Sequence, residues 1–306
     1  MKDKIPIMID NNPSMGYERN DWSSILKLPI MWILALWVAL KKNILGPELK
    51  VNTFWFDGSS PICQAMKENA KKWRALDIAY NYKFREGDGF TTKITNFWLR
   101  IRNAQAVRNR LKLVKKELRE EVNHFSHGGD EARLLSIACG SAQGVIEVMS
   151  EFKQKGASMK AIFLDRDPSA IEYSKRMAQK AGIINQITFV NRSVRDLEEA
   201  VNKFKPNIIE MVGFLEYRPK EKAIKLIKKI HQLLAPGGVA LISNIRPNLE
   251  SWFLSQVLNW PMIYRSPRKL SEVIIKGEFN SQSCKIIYEP LKIHGIAICK
   301  KVGATL

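Results

Sequence analysis

Two features of this 306-residue chain could act on one ligand: a cluster of small side chains and a carboxylate that follows it. Ala138, Cys139, Gly140, Ser141 and Ala142 lie between the apolar run RLLSI and an amphipathic run that begins near Gly144, and 25 residues after Gly140 the apolar run AIFLD ends on Asp165. A bend of small residues at the end of a parallel strand lets a ligand approach the main chain closely. A carboxylate beside it can accept two charge-assisted hydrogen bonds from neighbouring sugar hydroxyls. The spacing G-x-G-x-x-G, which seats a pyrophosphate on a helix N-terminus, is absent, and this counts against a dinucleotide. Metal chemistry finds no support either. Cys63, Cys139, Cys284 and Cys299 are far apart in sequence. His124 and His127 have H-x-x-H spacing at an expected helix end but no evident third ligand. His231 sits in a Lys-rich run that reads as surface, and His294 in the last apolar run is expected to be a satisfied core or edge residue.

These residues need a scaffold of strands and helices. From Arg133 onward, short apolar runs (RLLSIA, AIFLD, ITFVN, NIIEMVGFL, VALISNI) alternate with amphipathic helical runs, the pattern of βαβ units and a parallel sheet. CKIIYEPL and IHGIAICKK follow with no helix between them and are expected to form an antiparallel hairpin. The fold expected is α/β: a doubly wound, mostly parallel seven-stranded sheet with an antiparallel C-terminal hairpin, plus an N-terminal helical domain. The boundary is expected at 129/130, with residues 1–129 as a helical accessory or substrate-lid domain. In that domain an apolar helix spans about residues 21–42, and a second helix starts near Pro61, capped by Ser59 or Ser60, with Ile62, Met66, Trp73 and Leu76 as its apolar face. Phe97, Ile101, Ala104, Val107, Leu111, Val114, Leu118 and Val122 recur at helical spacing, and Arg100, Arg102, Arg108, Arg110, Lys112, Lys115 and Lys116 form a basic opposite face expected to lie in solvent.

The order of small-residue turn, acidic strand tip, a later LLAPGG turn and terminal hairpin resembles the class I, Rossmann-like S-adenosylmethionine-dependent methyltransferases over roughly residues 130–301. More narrowly, AQAVRNRLKLVKKEL, VGFLEYRP and SNIRPNLESW look like a bacterial methyltransferase family sometimes attached to α/β-hydrolase domains. The resemblance implies S-adenosylmethionine as cofactor. It puts the family's glycine-rich turn on Ala138, Gly140 and Ala142, with Cys139 and Ser141 between them, and ribose recognition on Asp165 with Arg166 and Asp167 beside it. The adenine contact falls on Ser193 or the backbone of Val194, with Asp196 as fallback, and Gly213 and Leu215 line the cofactor. The family's usual acid two positions before the turn is Ser136 here. Acceptor contacts in this fold follow the fourth strand, so Glu216 and Tyr217 are the candidates for base or orienting group, Glu216 alternatively capping the next helix. Alanine at turn positions is compatible with the family if its φ is negative and strained if positive.

The chain carries +19, as +8 over residues 1–130 (22 Lys+Arg, 14 Asp+Glu) and +11 over the rest (27 against 16), so no single basic tail accounts for it. Such a field attracts polyanions and anionic membrane surfaces without choosing between them. LPIMWILALWVAL, Leu28 to Leu40, is uninterrupted apolar sequence flanked by Lys27, Lys41 and Lys42. It reads as a buried helix, an in-plane membrane contact through residues 22–42, or a span. With the aromatic segment NTFWFDG and the absence of an N-P-P-Y-type base-methylation motif, it favours a small or lipid-like acceptor methylated on oxygen or nitrogen. The expected location is cytoplasmic, peripheral to the inner face of a membrane. Two alternatives stand: an RNA methyltransferase whose helix 100–116 tracks phosphates, and a non-catalytic binding protein with a degenerate cofactor turn.

Overall fold

The computed structural model describes residues 4–19, 25–46, 53–129 and 131–302. Trp22, Asn52 and the side chains of Phe54, Trp55 and His127, on which some expectations fall, lie outside the described residues. The strands are β1 (Ile7–Ile9), β2 (Ala132–Ile137), β3 (Met159–Asp165), β4 (Ile187–Asn191), β5 (Ile208–Met211), β6 (Val239–Ile245), β7 (Cys284–Tyr288) and β8 (His294–Lys300). They form one sheet in the order β1-β7-β8-β6-β5-β2-β3-β4. Every pairing is parallel except those of β8 with β6 and β7, which are antiparallel. The doubly wound sheet and its terminal hairpin are as expected. It has eight strands rather than seven, because Ile7–Ile9 adds to the edge of β7 with Ile7 opposite Ile286. Three residues, all exposed, give no periodicity to read, and main-chain bonds such as Ile286 N–H to Pro6 O (2.8 Å) hold them instead.

The helices are α1 (Leu28–Leu45), α2 (Phe54–Asp57), α3 (Pro61–Glu68), α4 (Trp73–Asn81), α5 (Phe90–Leu99), α6 (Arg102–His127), α7 (Gln143–Gln154), α8 (Pro168–Lys180), α9 (Leu197–Val201), α10 (Lys220–Leu233), α11 (Ser251–Gln256) and α12 (Pro267–Lys276). Ser60 caps α3 by accepting from Cys63 N–H, with Pro61 in the first turn. Asp167 caps α8 in the same way from Ser169 N–H. The central strands are buried on both faces, which is why they read as apolar runs without alternation. Leu135, Ile137 and Met211 face one core with α10 and α12, while Leu134, Phe163 and Ile208 face the other with α6 and α7.

α6 joins the helical region to the sheet. Its first N–H groups, which a helix leaves unsatisfied, bond to a carboxylate far off in sequence: Glu250 accepts from Arg102 N–H at 2.9 Å and Asn103 N–H at 2.8 Å. The basic face of α6 departs from expectation. Arg108 pairs with Glu18, Lys112 bonds Gly16 O, Lys115 pairs with Glu147 and Lys116 with Asp10, and Arg110 is fully buried. Helix periodicity locates the basic residues but not the carboxylates that other segments bring to them. A helix whose cations are engaged inside the molecule has little left with which to track phosphates.

α1 packs Met31, Leu34, Ala35 and Val38 against a third apolar cluster that includes Trp98, Phe253 and Leu254. Its other face is apolar and open, with Ile33 66% and Ile44 80% exposed. The helix is long and apolar enough to cross a membrane, with 22% of its residues buried.

Candidate active site

A cleft of about 720 Å³ opens at the carboxyl ends of β2, β3 and β5. β2 runs into the small-residue turn, and Ala138, Gly140 and Ala142 all adopt left-handed backbone at φ of 53°, 56° and 51°. Of the two alternatives for the alanines, the strained one holds: the turn keeps the backbone path that glycine adopts freely and carries two side chains that disfavour it. Left-handed backbone costs an L-residue about 1–2 kcal/mol, and the entropy glycine loses on folding offsets part of that. Ala138→Gly is accordingly expected to stabilise the protein by roughly 0.5–1 kcal/mol, visible as a higher urea midpoint at unchanged m. A lowered midpoint would rule the strain out.

Asp165 holds the turn in place. One carboxylate oxygen accepts Gly140 N–H and the other Asp167 N–H, each at 2.9 Å. Burial raises its pKa against the pull of those two N–H groups. Arg166, Ser193, Val194 and Gly213 line the same cleft, and the Gly213 N–H donates to Ser243 Oγ at 2.9 Å. Cys139 lines it too, with a thiol that burial pushes well up, so it stays protonated. Helix α4 covers the turn. A Cβ on Gly140 would come within 3.1 Å of Trp73 Cβ, the Trp73 indole N–H donates to Ser169 Oγ at 3.0 Å, and its ring packs on Tyr173 at 4.6 Å.

Glu210, in the apolar run of β5, was not picked out by sequence reasoning. It is buried, lines the cleft and stands directly opposite Ser136, whose Oγ–H donates to its Oε2 at 2.6 Å. Burial pushes its pKa up to about 7, against the Ser136 hydrogen bond and the nearby Arg110 charge. The visible signal was a lone charged residue inside a buried-strand pattern.

Leu215 points into the core rather than the cleft, and its carbonyl accepts from Arg265 at 3.0 Å. Glu216 and Tyr217 part company. Tyr217 lines the cleft, and its oxygen accepts from Trp260 Nε1–H at 2.6 Å. Burial first, then Glu216, keep that phenol protonated far above neutrality. Glu216 instead faces a second, smaller cavity of about 60 Å³ that shares Leu76, Tyr217 and Trp260 with the cleft as a common wall. Glu216 does not cap α10. It lies 3.8 Å from Arg110, with the two side chains 3% and 1% exposed. Burial raises the Glu216 pKa while Arg110 pulls it down. Burial also opposes the charge of Arg110, but Tyr80 and Glu216 outweigh it. His294 lines this cavity with neither ring nitrogen hydrogen-bonded, contrary to the expectation of a satisfied histidine, and burial with Arg110 nearby keeps it neutral. Arg110 Nε, Glu216 Oε2 and Trp98 Nε1 also lack partners there. Buried groups left so usually await a water or a ligand. Among the described residues, no group of three or more His, Cys, Asp or Glu is placed to hold a metal.

A family described as "Methyltransferase domain" matches residues 129–293. No curated protein matches the chain. Among solved structures, a protein of Bordetella parapertussis described as a possible exported protein superposes with a TM-score of 0.66 at 14% identity, covering 96% of this chain and 100% of that one. The CurJ carbon methyltransferase gives 0.53 at 13% identity over 82% and 68% of the two chains. The S-adenosylmethionine-dependent methyltransferase SibL gives 0.50 at 11% over 87% and 73%. At these identities the likeness is one of fold.

Proposed function

The chain belongs to the methyltransferase family matched over residues 129–293 and is an S-adenosylmethionine-dependent methyltransferase; on that premise we propose that it methylates an oxygen or nitrogen of a small, lipid-like acceptor. The observation that carries this reading is the second cavity, bounded by Met66, Trp98, Ile101, Leu254 and Met262 and adjoining the cofactor cleft through Leu76, Tyr217 and Trp260. At about 60 Å³ this apolar chamber suits the reacting end of such an acceptor, with the rest of its hydrocarbon body outside it.

The cleft fits the cofactor. It offers the carboxylates of Asp165, Asp167 and Glu210 to a ligand bearing a sugar diol and positive charge, and a Cβ at Gly140 would be crowded against Trp73. S-adenosylmethionine supplies an electrophilic sulfonium methyl. The chain's own part is to hold, orient and keep water out. Each Asp165 oxygen accepts one N–H and retains a lone pair, which we assign to the ribose hydroxyls. Ser193 and Val194 flank the adenine side, with Arg166 near the sugar. Tyr217, protonated, orients the acceptor at the common wall, and Glu216 with His294 offers proton acceptors in the chamber behind it.

The exposed face of α1 belongs to the same proposal. Ile30, Ile33, Leu36 and Leu40 are exposed, as are Leu249 and, in α11, Trp252, and Lys41 lies 4.0 Å from the Trp37 ring. An apolar face with flanking cations suits the surface of an anionic membrane, and all four cysteines are free, in keeping with the cytoplasmic side. Incubation with methyl-labelled S-adenosylmethionine and separate pools of vesicle lipids, small phenols and amines, and total RNA is expected to give organic-soluble label. Label confined to RNA would overturn the acceptor class. Flotation with phosphatidylglycerol vesicles is expected to fall about tenfold or more in Ile33→Glu/Leu36→Glu.

A further inference from the structure

Glu210 and Ser136 depart from what a buried strand pair ordinarily contains. β5 and β2 pair so that Leu134 faces Ile208, Leu135 faces Ile209 and Ser136 faces Glu210. Residues opposite each other in a ladder share a face of the sheet, so serine and glutamate project together, and the 2.6 Å bond from Ser136 Oγ fixes the carboxylate. Where Ser136 stands, the family this chain resembles carries an acid. Here a neighbouring strand brings the acid to the same place.

Among the described residues, no cation is paired with it directly. No salt bridge to Glu210 occurs among the described residues, and the nearby cation, Arg110, bonds Tyr80 at 2.6 Å and lies against Glu216. In a chain of net charge +19, an ionised carboxylate buried at the floor of an open cleft without a cation of its own is unfavourable, and a ligand that brings a cation favours the ionised form. The cofactor carries such a cation at its amino-acid end. The order of strands also fits: Asp165 on β3 and Glu210 on β5 flank the turn after β2 from opposite sides, two strand spacings or about 10 Å apart. The thioether chain between ribose and ammonium can bridge that span.

Resting on the cofactor reading above, we infer that Glu210, positioned by Ser136, binds the ammonium group of the cofactor's methionine moiety and takes over the place of the acid that Ser136 has lost. The contact distinguishes ligands that contain the amino acid from those that end at the thioether.

The test is calorimetric titration of the full chain with S-adenosylhomocysteine and with 5′-methylthioadenosine, which has the nucleoside and sulfur but no amino acid. Glu210→Gln keeps the side-chain shape and an acceptor for Ser136. It is expected to weaken S-adenosylhomocysteine by about 10- to 100-fold, the range for a charge-assisted hydrogen bond, and to leave methylthioadenosine unchanged. Ser136→Asp combined with Glu210→Ser returns the carboxylate to the other side of the ladder and is expected to recover most of the loss; it also carries the test if Glu210→Gln melts early. Undiminished S-adenosylhomocysteine binding by Glu210→Gln, or equal weakening of both ligands, overturns the inference and leaves the cofactor reading standing. A wild-type protein that binds neither ligand overturns the cofactor reading itself.

Discussion

Arg110→Met is expected to destabilise the protein by about 3–5 kcal/mol, and adding Glu216→Leu is expected to return most of that loss. Arg110 and Glu216 are both fully buried and 3.8 Å apart, with Arg110 Nε and Glu216 Oε2 lacking hydrogen-bond partners. A pair in this condition is costly to halve because the surviving charge has neither water nor a counter-ion. Replaced together by apolar groups of similar volume, the two side chains leave nothing uncompensated. Urea denaturation of the four proteins at neutral pH measures the cycle, and additive losses would show that the two do not act as a pair. The pH dependence has a definite sign. Glu216 already has a raised pKa through burial, and loss of Arg110 raises it further. The single mutant's penalty is therefore present where Glu216 would ionise and shrinks as the pH falls and the carboxyl takes up its proton.

Asp165→Ala is expected to lower affinity for S-adenosylmethionine by about 100-fold or more, from the loss of several charge-assisted hydrogen bonds at once. The side chain would have two duties under the proposed assignment: its oxygens hold Gly140 and Asp167 through their N–H groups, and their remaining lone pairs would take the ribose hydroxyls. Asp165→Asn separates them, since it keeps an acceptor for one N–H and removes the charge, and it is expected to fall between wild type and alanine. Calorimetry gives the affinities, and a thermal melt shows whether the turn has come apart. Wild-type affinity in Asp165→Ala would remove this residue from the ribose site.

The parts of the fold legible in the sequence are those set by local pattern. The runs that became β5 and β6 are buried throughout and β2 nearly so, and Ser60 with Pro61 and Asp167 with Pro168 mark helix starts through short-range hydrogen bonds. What could not be read depends on partners distant along the chain. Ile7–Ile9 is a strand because β7 offers an edge. Arg108 and Arg110 look like solvated cations until Glu18 and Glu216 arrive. His294 looks satisfied until neither ring nitrogen proves to have a partner, and Glu210 gains meaning only beside Ser136. Leu215, one residue from Glu216, turns to the core because the loop is pinned by Arg265 through the Leu215 and Arg218 carbonyls and the side chain of Asn244. The positive φ of Ala138 and Ala142 is set by the path from β2 into α7, which composition does not reveal.

The strand Ile7–Ile9 also governs when this protein can finish folding. It is made first among the strands, yet Ile7 pairs with Ile286, 279 residues later. At about 5–20 residues per second of synthesis, that partner emerges roughly 15–60 s after the strand itself. During the wait, three apolar residues and then the open face of α1 have left the ribosome with no sheet to join. The N-terminal edge of the sheet is therefore completed only after the C-terminal hairpin has been made.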